Sequence, residues 1–316
     1  MFPSVESPGS VSPGLGLTGY LALVGSALSF SLTGLFAKEL SPDIDPPQLM
    51  LIRSSFMVVA IAAWAAVRRE PLFIWKRREG TLLLLRGLLG TIGFLFYFAA
   101  LQRIPLADTV ILFQSHPVVI ALLGPWLLRE RNRPWHWPLL VLSLLGVALV
   151  VGPSSQGDVT GRLFGLCSAL MGGLAYSMIR LASSSVPVLT ITLSFPLVAV
   201  LVAGPAILLD APGCDWVPPT AADWWRLLGV GVTSTAGQIL LTLGISRVPA
   251  ARGSAVSNTQ VVFAMIWGLL FLGEVPSPWT LLGAALVVTS VVLLNRSVAP
   301  QPPPSPPSAG PGPCRS

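Results

Sequence analysis

The stretch Arg103–Trp135, RIPLADTVILFQSHPVVIALLGPWLLRERNRPW, returns 144 residues later as Arg247–Trp279, RVPAARGSAVSNTQVVFAMIWGLLFLGEVPSPW. Nine of the 33 aligned positions are identical without a gap, and they include arginine, proline, glutamate and tryptophan, which an apolar composition does not explain. A shift of 142 residues aligns residues 19–38 with residues 161–180, with six identities in 20 positions. These matches indicate an internal repeat, and the repeat decides the fold.

The composition around the repeat is that of an integral membrane protein. Of 316 residues, 53% are hydrophobic and only 10% are charged, whereas a soluble domain carries roughly 25% charged residues. The net charge of +6 comes from basic residues that lie between apolar runs, which is typical of membrane topology and not of a nucleic-acid partner. Three widely spaced cysteines predict neither a disulfide framework nor a metal site, and no cofactor is expected.

Ten apolar runs are long enough to be candidate membrane helices. They cover residues 18–37, 48–67, 81–101, 107–128, 137–152, 162–181, 187–209, 224–246, 252–272 and 279–295. With the N-terminus inside, 13 of the 19 Lys and Arg residues fall on the cytoplasmic side and four outside, while Arg53 and Arg86 lie within spans. The excess of basic residues predicts a multi-pass protein, expected in the cell membrane, with both termini in the cytoplasm.

The repeat divides the chain into two units of five spans each. We expect a cytoplasmic segment at residues 1–17, a first five-helix repeat at 18–153, a second at 158–297 and a proline-rich disordered tail at 298–316. Because five is odd, the second unit must enter the membrane upside down. The fold class is therefore all-α, with ten transmembrane helices in two inverted five-helix repeats, an arrangement typical of secondary transporters.

Several short motifs resemble the drug/metabolite transporter superfamily in its ten-span EamA-type permease form. They are Leu85-Arg86-Gly87, Tyr97-Phe98-Ala99-Ala100-Leu101, Ile104-Pro105-Leu106-Ala107-Asp108, His116-Pro117-Val118-Val119, Leu128-Arg129-Glu130-Arg131, Val248-Pro249-Ala250-Ala251 and Phe271-Leu272-Gly273-Glu274. The first and third of these resemble the branch related to solute carrier family 35 and to S-adenosylmethionine carriers. The resemblance covers about residues 18–296.

The resemblance implies a central cavity and a secondary active transporter. The substrate would be a small polar metabolite, such as an amino acid, amine, carboxylate or nucleotide-type solute, moved by export or exchange. The other expected partners are the lipid bilayer and protons, which are a candidate coupling ion. The protein is expected to be a monomer or a homodimer. The second copy has Val261 where the first has Pro117, so the two halves of the cavity are expected to be unequal.

Two polar triplets occupy equivalent places in the repeat. Gln114, Ser115 and His116 lie near the middle of the fourth run, and Asn258, Thr259 and Gln260 lie in the ninth. Polar groups are costly in hydrocarbon unless they face a cavity or each other. We expect Gln114, His116, Asn258 and Gln260 to face a substrate cavity, and the alternative is that they bind neighbouring helices together.

Pro117 cannot donate a hydrogen bond to the carbonyl of Phe113, so the fourth helix should kink and expose that carbonyl. The exposed oxygen could bind a cation or a substrate donor, or the kink could be purely structural. His116 is a candidate proton carrier, because histidine titrates near neutral pH. A packed histidine that only donates and accepts hydrogen bonds is the alternative.

The remaining candidates are charged and aromatic. Arg53 either anchors a carboxylate or phosphate or extends to the membrane interface, and Arg86 is assigned first to the interface and second to the cavity. Tyr97, Phe94, Tyr176, Gln238 and Trp267 are candidate cavity walls, with simple packing as the alternative. Glu130 and Glu274 end equivalent spans at opposite faces, where they would act as gates or cap a turn, with ordinary interfacial charge as the alternative.

Other functional classes find little support in the residues. A membrane aspartyl protease needs two acids inside spans, and Asp108 lies only at a span end. No nucleophile elbow, metal-binding His pair or phosphate-binding loop is present in the sequence, so we expect no enzyme. A membrane scaffold of the same fold that has lost transport is the alternative to a transporter.

Overall fold

The computed structural model describes residues 13–40, 44–69, 77–127, 136–151, 159–182, 186–209, 211–212, 214, 216–245 and 256–296. Within these ranges the chain forms eleven helices and no strand. They are α1 Pro13–Leu40, α2 Pro46–Arg68, α3 Arg77–Leu101, α4 Leu106–Phe113, α5 His116–Leu127, α6 His136–Val151, α7 Val159–Ala182, α8 Val188–Leu208, α9 Ala221–Ile245, α10 Thr259–Phe271 and α11 Pro278–Arg296.

The helices match the apolar runs, which confirms an all-α membrane protein. Five of the described helices are long and apolar enough to cross a membrane: α1, α2, α3, α7 and α8. Four shorter apolar segments coincide with the α4–α5 stretch, α6, α10 and α11. The 25-residue α9 contains more polar residues, and these contact another helix. Thr233 Oγ1 lies 2.8 Å from Thr33 Oγ1 of α1, and the Gly237 carbonyl accepts a hydrogen bond from Ser26 Oγ of α1 at 2.8 Å.

The helices differ from the apolar runs at two places. The first helix begins at Pro13, before the apolar span Leu17–Leu40 that it contains. The fourth run is not one helix, because a turn at Gln114–Ser115 separates α4 from α5. The proline-rich tail lies outside the described residues, as do residues 1–12.

The break in the fourth run is matched in the second half. Gln114 has φ −68° and ψ −3°, and Asn258, at the equivalent repeat position, has φ −66° and ψ −13° before α10 begins. The two halves therefore share a local backbone conformation as well as sequence.

Interhelical contacts show that the halves are inserted in opposite directions. Leu23, near the start of α1, packs against Gly244 near the end of α9, while Phe36, near the end of α1, packs against Gly229 near the start of α9. The first helix of one half is thus antiparallel to the third helix of the other. Because the first and third helices of a half run the same way, antiparallel packing requires the two halves to be inverted.

The same symmetry governs the other contacts between halves. The pair α1 and α9 corresponds to the pair α3 and α7, and the pairs α2 with α8 and α6 with α11 each join equivalent helices. Likewise the packing of α3 against α8 corresponds to the packing of α2 against α9. The structure is therefore one body with an approximate two-fold axis, and its centre lies where the halves meet.

At the α6–α11 crossing the two backbones touch. A methyl group on Gly283 would lie 2.6 Å from the Gly146 carbonyl oxygen, and one on Gly146 would lie 2.8 Å from the Gly283 carbonyl oxygen. Small residues allow this approach, which gains van der Waals packing that lipid cannot supply.

We expect Gly283→Ala to destabilise the protein by about 1–3 kcal/mol, because the added methyl group must push two backbones apart. Thermal unfolding of the purified protein in detergent measures the change. Gly204→Ala is the matched control, since its methyl group would meet only Leu51 at an ordinary 3.8 Å. Equal melting temperatures for the two variants would contradict this account of the crossing.

Candidate substrate site

A buried arginine lies among aromatic rings at the junction of α2, α3 and α8. Arg53 is 1% exposed, and its guanidinium carbon lies 4.1 Å from the ring centre of Phe94 and 5.5 Å from that of Phe195. Its Nε and Nη1 atoms have no hydrogen-bond partner. Arg53 therefore does not extend to the membrane interface, which was one of its two predicted roles.

A second arginine approaches the same ring. The guanidinium carbon of Arg86 lies 5.2 Å from the ring centre of Phe195, and its buried Nε also has no partner. Its Nη1 lies against Gly90, where a methyl group would overlap both Arg86 and Phe195. The missing side chain at Gly90 thus makes room for the guanidinium beside α8.

Aromatic side chains connect these arginines to α5 and α7. The Phe113 ring lies 5.6 Å from Phe94, 5.3 Å from Tyr97 and 5.4 Å from His116, measured between ring centres. His116 stacks on Tyr176 at 4.7 Å and 14°. We define the arginine cluster as Arg53, Arg86, Phe94, Tyr97, His116, Tyr176 and Phe195. It brings together five residues that the sequence predicted for the cavity, Arg53, Phe94, Tyr97, His116 and Tyr176, together with Arg86, for which the cavity was the second assignment.

His116 supplies a hydrogen-bond donor to the carbonyl that Pro117 leaves without one. Its Nδ1 lies 2.9 Å from the Phe113 carbonyl oxygen, the group that Pro117 leaves without a backbone donor. Because a carbonyl only accepts, Nδ1 carries the proton and Nε2 is left as the acceptor. The Phe113 carbonyl thus has a donor in the histidine ring, which favours the purely structural alternative for the kink.

The polar triplets meet at the interface between the halves. Gln114 is 6% exposed, and its Nε2 donates to the Ser257 carbonyl at 3.2 Å, which joins the halves directly. Asn258 and Gln260 are also buried, and the Asn258 Nδ2 has no partner in the structure. Gln114 thus has the helix-binding contact that was one of its predicted alternatives.

Two other predicted wall residues lie on α9 and α10. The Trp267 indole donates to Ser31 Oγ at 3.0 Å, a contact with α1 and not with the arginine cluster. Gln238 is half-buried on α9. Their membership of a cavity stays a prediction.

Glu274 joins the two halves at one face of the molecule. It follows Gly273, whose φ of +63° suits glycine and turns the chain after α10. The Glu274 Oε2 accepts the backbone N–H of Leu106 at 2.7 Å, and its Oε1 lies 3.7 Å from Lys38 Nζ. Lys38 Nζ also donates to the Ile104 carbonyl at 2.7 Å. We call Lys38, Leu106 and Glu274 the latch.

Further polar contacts between the halves lie at this latch face. Thr280 Oγ1 donates to Asp108 Oδ1 at 3.1 Å, and Arg226 Nε donates to Glu39 Oε2 at 3.0 Å. Gln48 Nε2 donates to the Val217 carbonyl at 2.7 Å. Each contact joins a residue of the first half to one of the second.

Burial raises the pKa of Glu274, and it does so against the opposing effects of the Leu106 N–H and the Lys38 ammonium. The two contacts favour the charged carboxylate, whereas burial, the larger effect, favours the neutral acid. Glu130, its predicted counterpart, lies outside the described residues.

Two residues, Phe195 of the arginine cluster and Lys38 of the latch, were not predicted from the sequence. Phe195 stacks against both arginines, but an isolated phenylalanine in an apolar run carries no signal. Lys38 did carry one, because it aligns with Arg180 in the repeat, and a basic residue kept at the end of the first helix of each half could have been recognised as part of a gate.

Comparison with known proteins gives consistent results. The EamA-like transporter family matches residues 17–152 and again residues 159–296. The chain is 32% identical to the pseudopaline exporter of Pseudomonas aeruginosa, over 89% of this chain and 96% of the relative. It is 28% identical to human solute carrier family 35 member G1, over 89% of this chain and 78% of that protein.

A probable transport protein of Saccharomyces cerevisiae is 27% identical, over 79% of this chain and 78% of the relative. A protein crystal structure shares the fold with a TM-score of 0.61 at 20% identity, covering 92% of this chain and all of the other. With the family matching both halves of a helical, inverted repeat, the resemblance seen in the sequence motifs is confirmed, and the chain belongs to the EamA-like transporter family.

Proposed function

We propose that this transporter is a secondary active carrier that exports or exchanges a small polar metabolite by alternating access. The observation that carries the proposal is the latch, because it joins the two inverted halves at one face by polar contacts that can be broken and remade. The buried arginine cluster and the Gln114–Ser257 contact lie where the halves meet. An internal site with a closable face is what alternating access requires.

The latch face is assigned to the outside of the cell membrane. It contains the ends of α1 and α3 and the starts of α2 and α4, where few Lys and Arg residues occur. Both chain termini are then cytoplasmic, in agreement with the excess of basic residues on that side. With the outer face closed, the solute would enter from the cytoplasm, which suits export. The pseudopaline relative is named as an exporter, and this supports the same direction here.

The buried Arg53 favours transport over a scaffold role. Placing an ion in a low-dielectric interior costs several kcal/mol, and an apolar residue of similar size often serves packing as well or better. A scaffold would gain nothing from Arg53, whereas a carrier gains a binding group.

Protons are the coupling ion in this proposal, and Glu274 is the group that takes them. The charges facing Glu274 are Lys38 of α1 and Asp108 of α4. A proton on Glu274 removes its attraction to Lys38 and weakens its acceptance of the Leu106 N–H. Protonation would therefore loosen the contact between the halves at this face.

Proteoliposomes containing the whole purified chain test the function directly. The vesicles are loaded with amino acids, amines, carboxylates and nucleotides, and mass spectrometry follows their release with and without a pH gradient. We expect at least one solute to leave faster than from protein-free vesicles, unchanged in mass. Release equal to that of empty vesicles for every solute would support the scaffold, and a chemically altered solute would indicate an enzyme.

Glu274→Gln should open the outer face more often, because the amide keeps the shape of the side chain but loses the charge that attracts Lys38. A cysteine substituted for Ala107, which lines a small pocket next to Glu274, reports opening in a chain whose own cysteines are replaced by serine. We expect several-fold faster labelling by a membrane-impermeant maleimide added outside intact cells.

Glu39→Gln is the matched control. Its partner Arg226 lies at the same face, but both side chains are about one-third exposed, and exposed ion pairs contribute little. Labelling in this variant should stay near that of the parent protein. Equal labelling in Glu274→Gln and Glu39→Gln would remove the latch from the mechanism.

The same labelling should depend on pH in the parent protein. Since burial raises the pKa of Glu274 above that of an exposed glutamate, the latch is intact above this raised pKa and is lost as the pH falls through it. Labelling at position 107 should therefore increase on acidification, after correction for the thiol's own reactivity with a free-cysteine standard. Glu274→Gln should respond less, and an undiminished response in it would assign the titration to another group.

A further inference from the structure

We infer that the arginine cluster is the site that binds the transported solute, and that this solute carries an anionic carboxylate or phosphate group held by Arg53 and Arg86. The inference rests on the proposed transport function and adds the chemical class of the substrate.

The first reason is the unsatisfied state of Arg53. Its guanidinium is fully buried, yet Nε and Nη1 have no acceptor. A guanidinium remains charged in proteins and offers five N–H donors in a rigid fork. Buried donors are normally paired, and an unpaired one in a folded protein calls for a missing partner.

Aromatic contacts compensate only part of this cost. The guanidinium carbon of Arg53 lies over the Phe94 ring at 4.1 Å and over the Phe195 ring at 5.5 Å, and such cation–π contacts recover part of the cost of burying the charge. Stacking leaves the edge of the guanidinium free, and this edge is where bidentate contacts to carboxylate or phosphate form. The rings therefore hold Arg53 in position while its donor edge stays available.

The second reason is that the cluster lacks a negative charge. Tyr97, Tyr176 and Arg86 are the ionisable groups that act on Arg53, and none of them is a carboxylate. The buried Asp108 is engaged elsewhere, where it accepts a hydrogen bond from Thr280. Among the residues that the structure describes, no acid forms an ion pair with either arginine of the cluster.

The third reason is the second cation. Arg86 reaches the same Phe195 ring and also has a buried donor without a partner. Two like charges side by side repel each other, and an anion between them reverses the sign of the interaction for both. The neighbouring rings of Tyr97, Tyr176 and His116 carry no negative charge that would pair with either arginine. An amine or metal cation would find two positive charges and little to bind.

Thermal unfolding of the full-length protein in detergent tests the inference. The probes are succinate, inorganic phosphate, the neutral diamide succinamide and the cation putrescine, each compared with sodium chloride at equal ionic strength. A ligand that binds only the folded state raises the melting temperature. We expect succinate or phosphate to raise it by several degrees, and the two anions separate carboxylate from phosphate recognition. Succinamide and putrescine should have no effect.

Arg53→Met separates a binding role from a structural one. The unbranched apolar side chain fits among the same rings and removes the unpaired charge, so the melting temperature without ligand should be unchanged or higher. The response to the anion should disappear. Arg53→Lys keeps the charge without the fork and should retain a reduced response. Arg68→Gln, on the same helix but exposed, is the matched control and should respond like the parent protein.

Several outcomes would overturn the assignment. One is that no anion stabilises the parent protein more than it stabilises Arg53→Met. Others are that succinamide or putrescine stabilises the parent as well as the anions do, or that Arg53→Met melts lower without ligand while its anion response persists. Gel filtration establishes that each variant is folded. If Arg53→Met does not fold, the comparison of the anion response is made between the parent protein and Arg53→Lys.

The outcomes also distinguish this inference from the transport function. If the loaded proteoliposomes release only neutral or cationic solutes, transport stands and the anion site is wrong. If anions stabilise the protein through Arg53 but no solute is released, the site stands and the transport function is wrong.

Discussion

The structure depends on the antiparallel packing of each half's first helix against the third helix of the other half. Hydrocarbon offers no hydrogen bonds to the polar atoms of α9, so these atoms find partners on α1. The Thr233 hydroxyl pairs with the Thr33 hydroxyl, and the Gly237 carbonyl accepts a hydrogen bond from the Ser26 hydroxyl. The same packing, repeated between α3 and α7, forces the halves into opposite orientations. Every other contact between the halves follows from this inversion.

Inversion also explains why polar contacts concentrate where they do. Lys38, Glu274 and the N–H of Leu106 come from three different helix ends that meet only when the halves are opposed. Burial raises the pKa of Glu274, while the Leu106 N–H and Lys38 act in the opposite direction. These polar contacts between the halves are the ones that the proposed alternating access would break and remake.

The interior differs in kind from this face. There the charges are cationic and lie over aromatic rings, and buried donors of Arg53 and Arg86 have no acceptor in the structure. His116 has the packed, hydrogen-bonded place that was one of its two predicted alternatives, because it donates to the Phe113 carbonyl that Pro117 leaves without a backbone donor. Its ring also stacks on Tyr176.

The sequence by itself determined the fold class, the number of apolar runs and the inverted repeat, because these depend on composition and on periodic matches along the chain. It also identified Arg53, Tyr97, His116 and Tyr176 as candidates, since polar and aromatic residues inside apolar runs stand out. Glu274 was recognisable from its repeat position.

Only the tertiary structure decided which of these residues share a site. Gln114, Asn258, Gln260 and Trp267 stood out equally in the sequence, yet Gln114 joins the two halves and Trp267 contacts α1. Arg53 and Arg86 lie on separate helices, and their common contact with Phe195 comes from the packing of α8 across α3, where Gly90 leaves room. Helix-to-helix distances are set by packing over the whole molecule, so no local pattern in one helix can specify them.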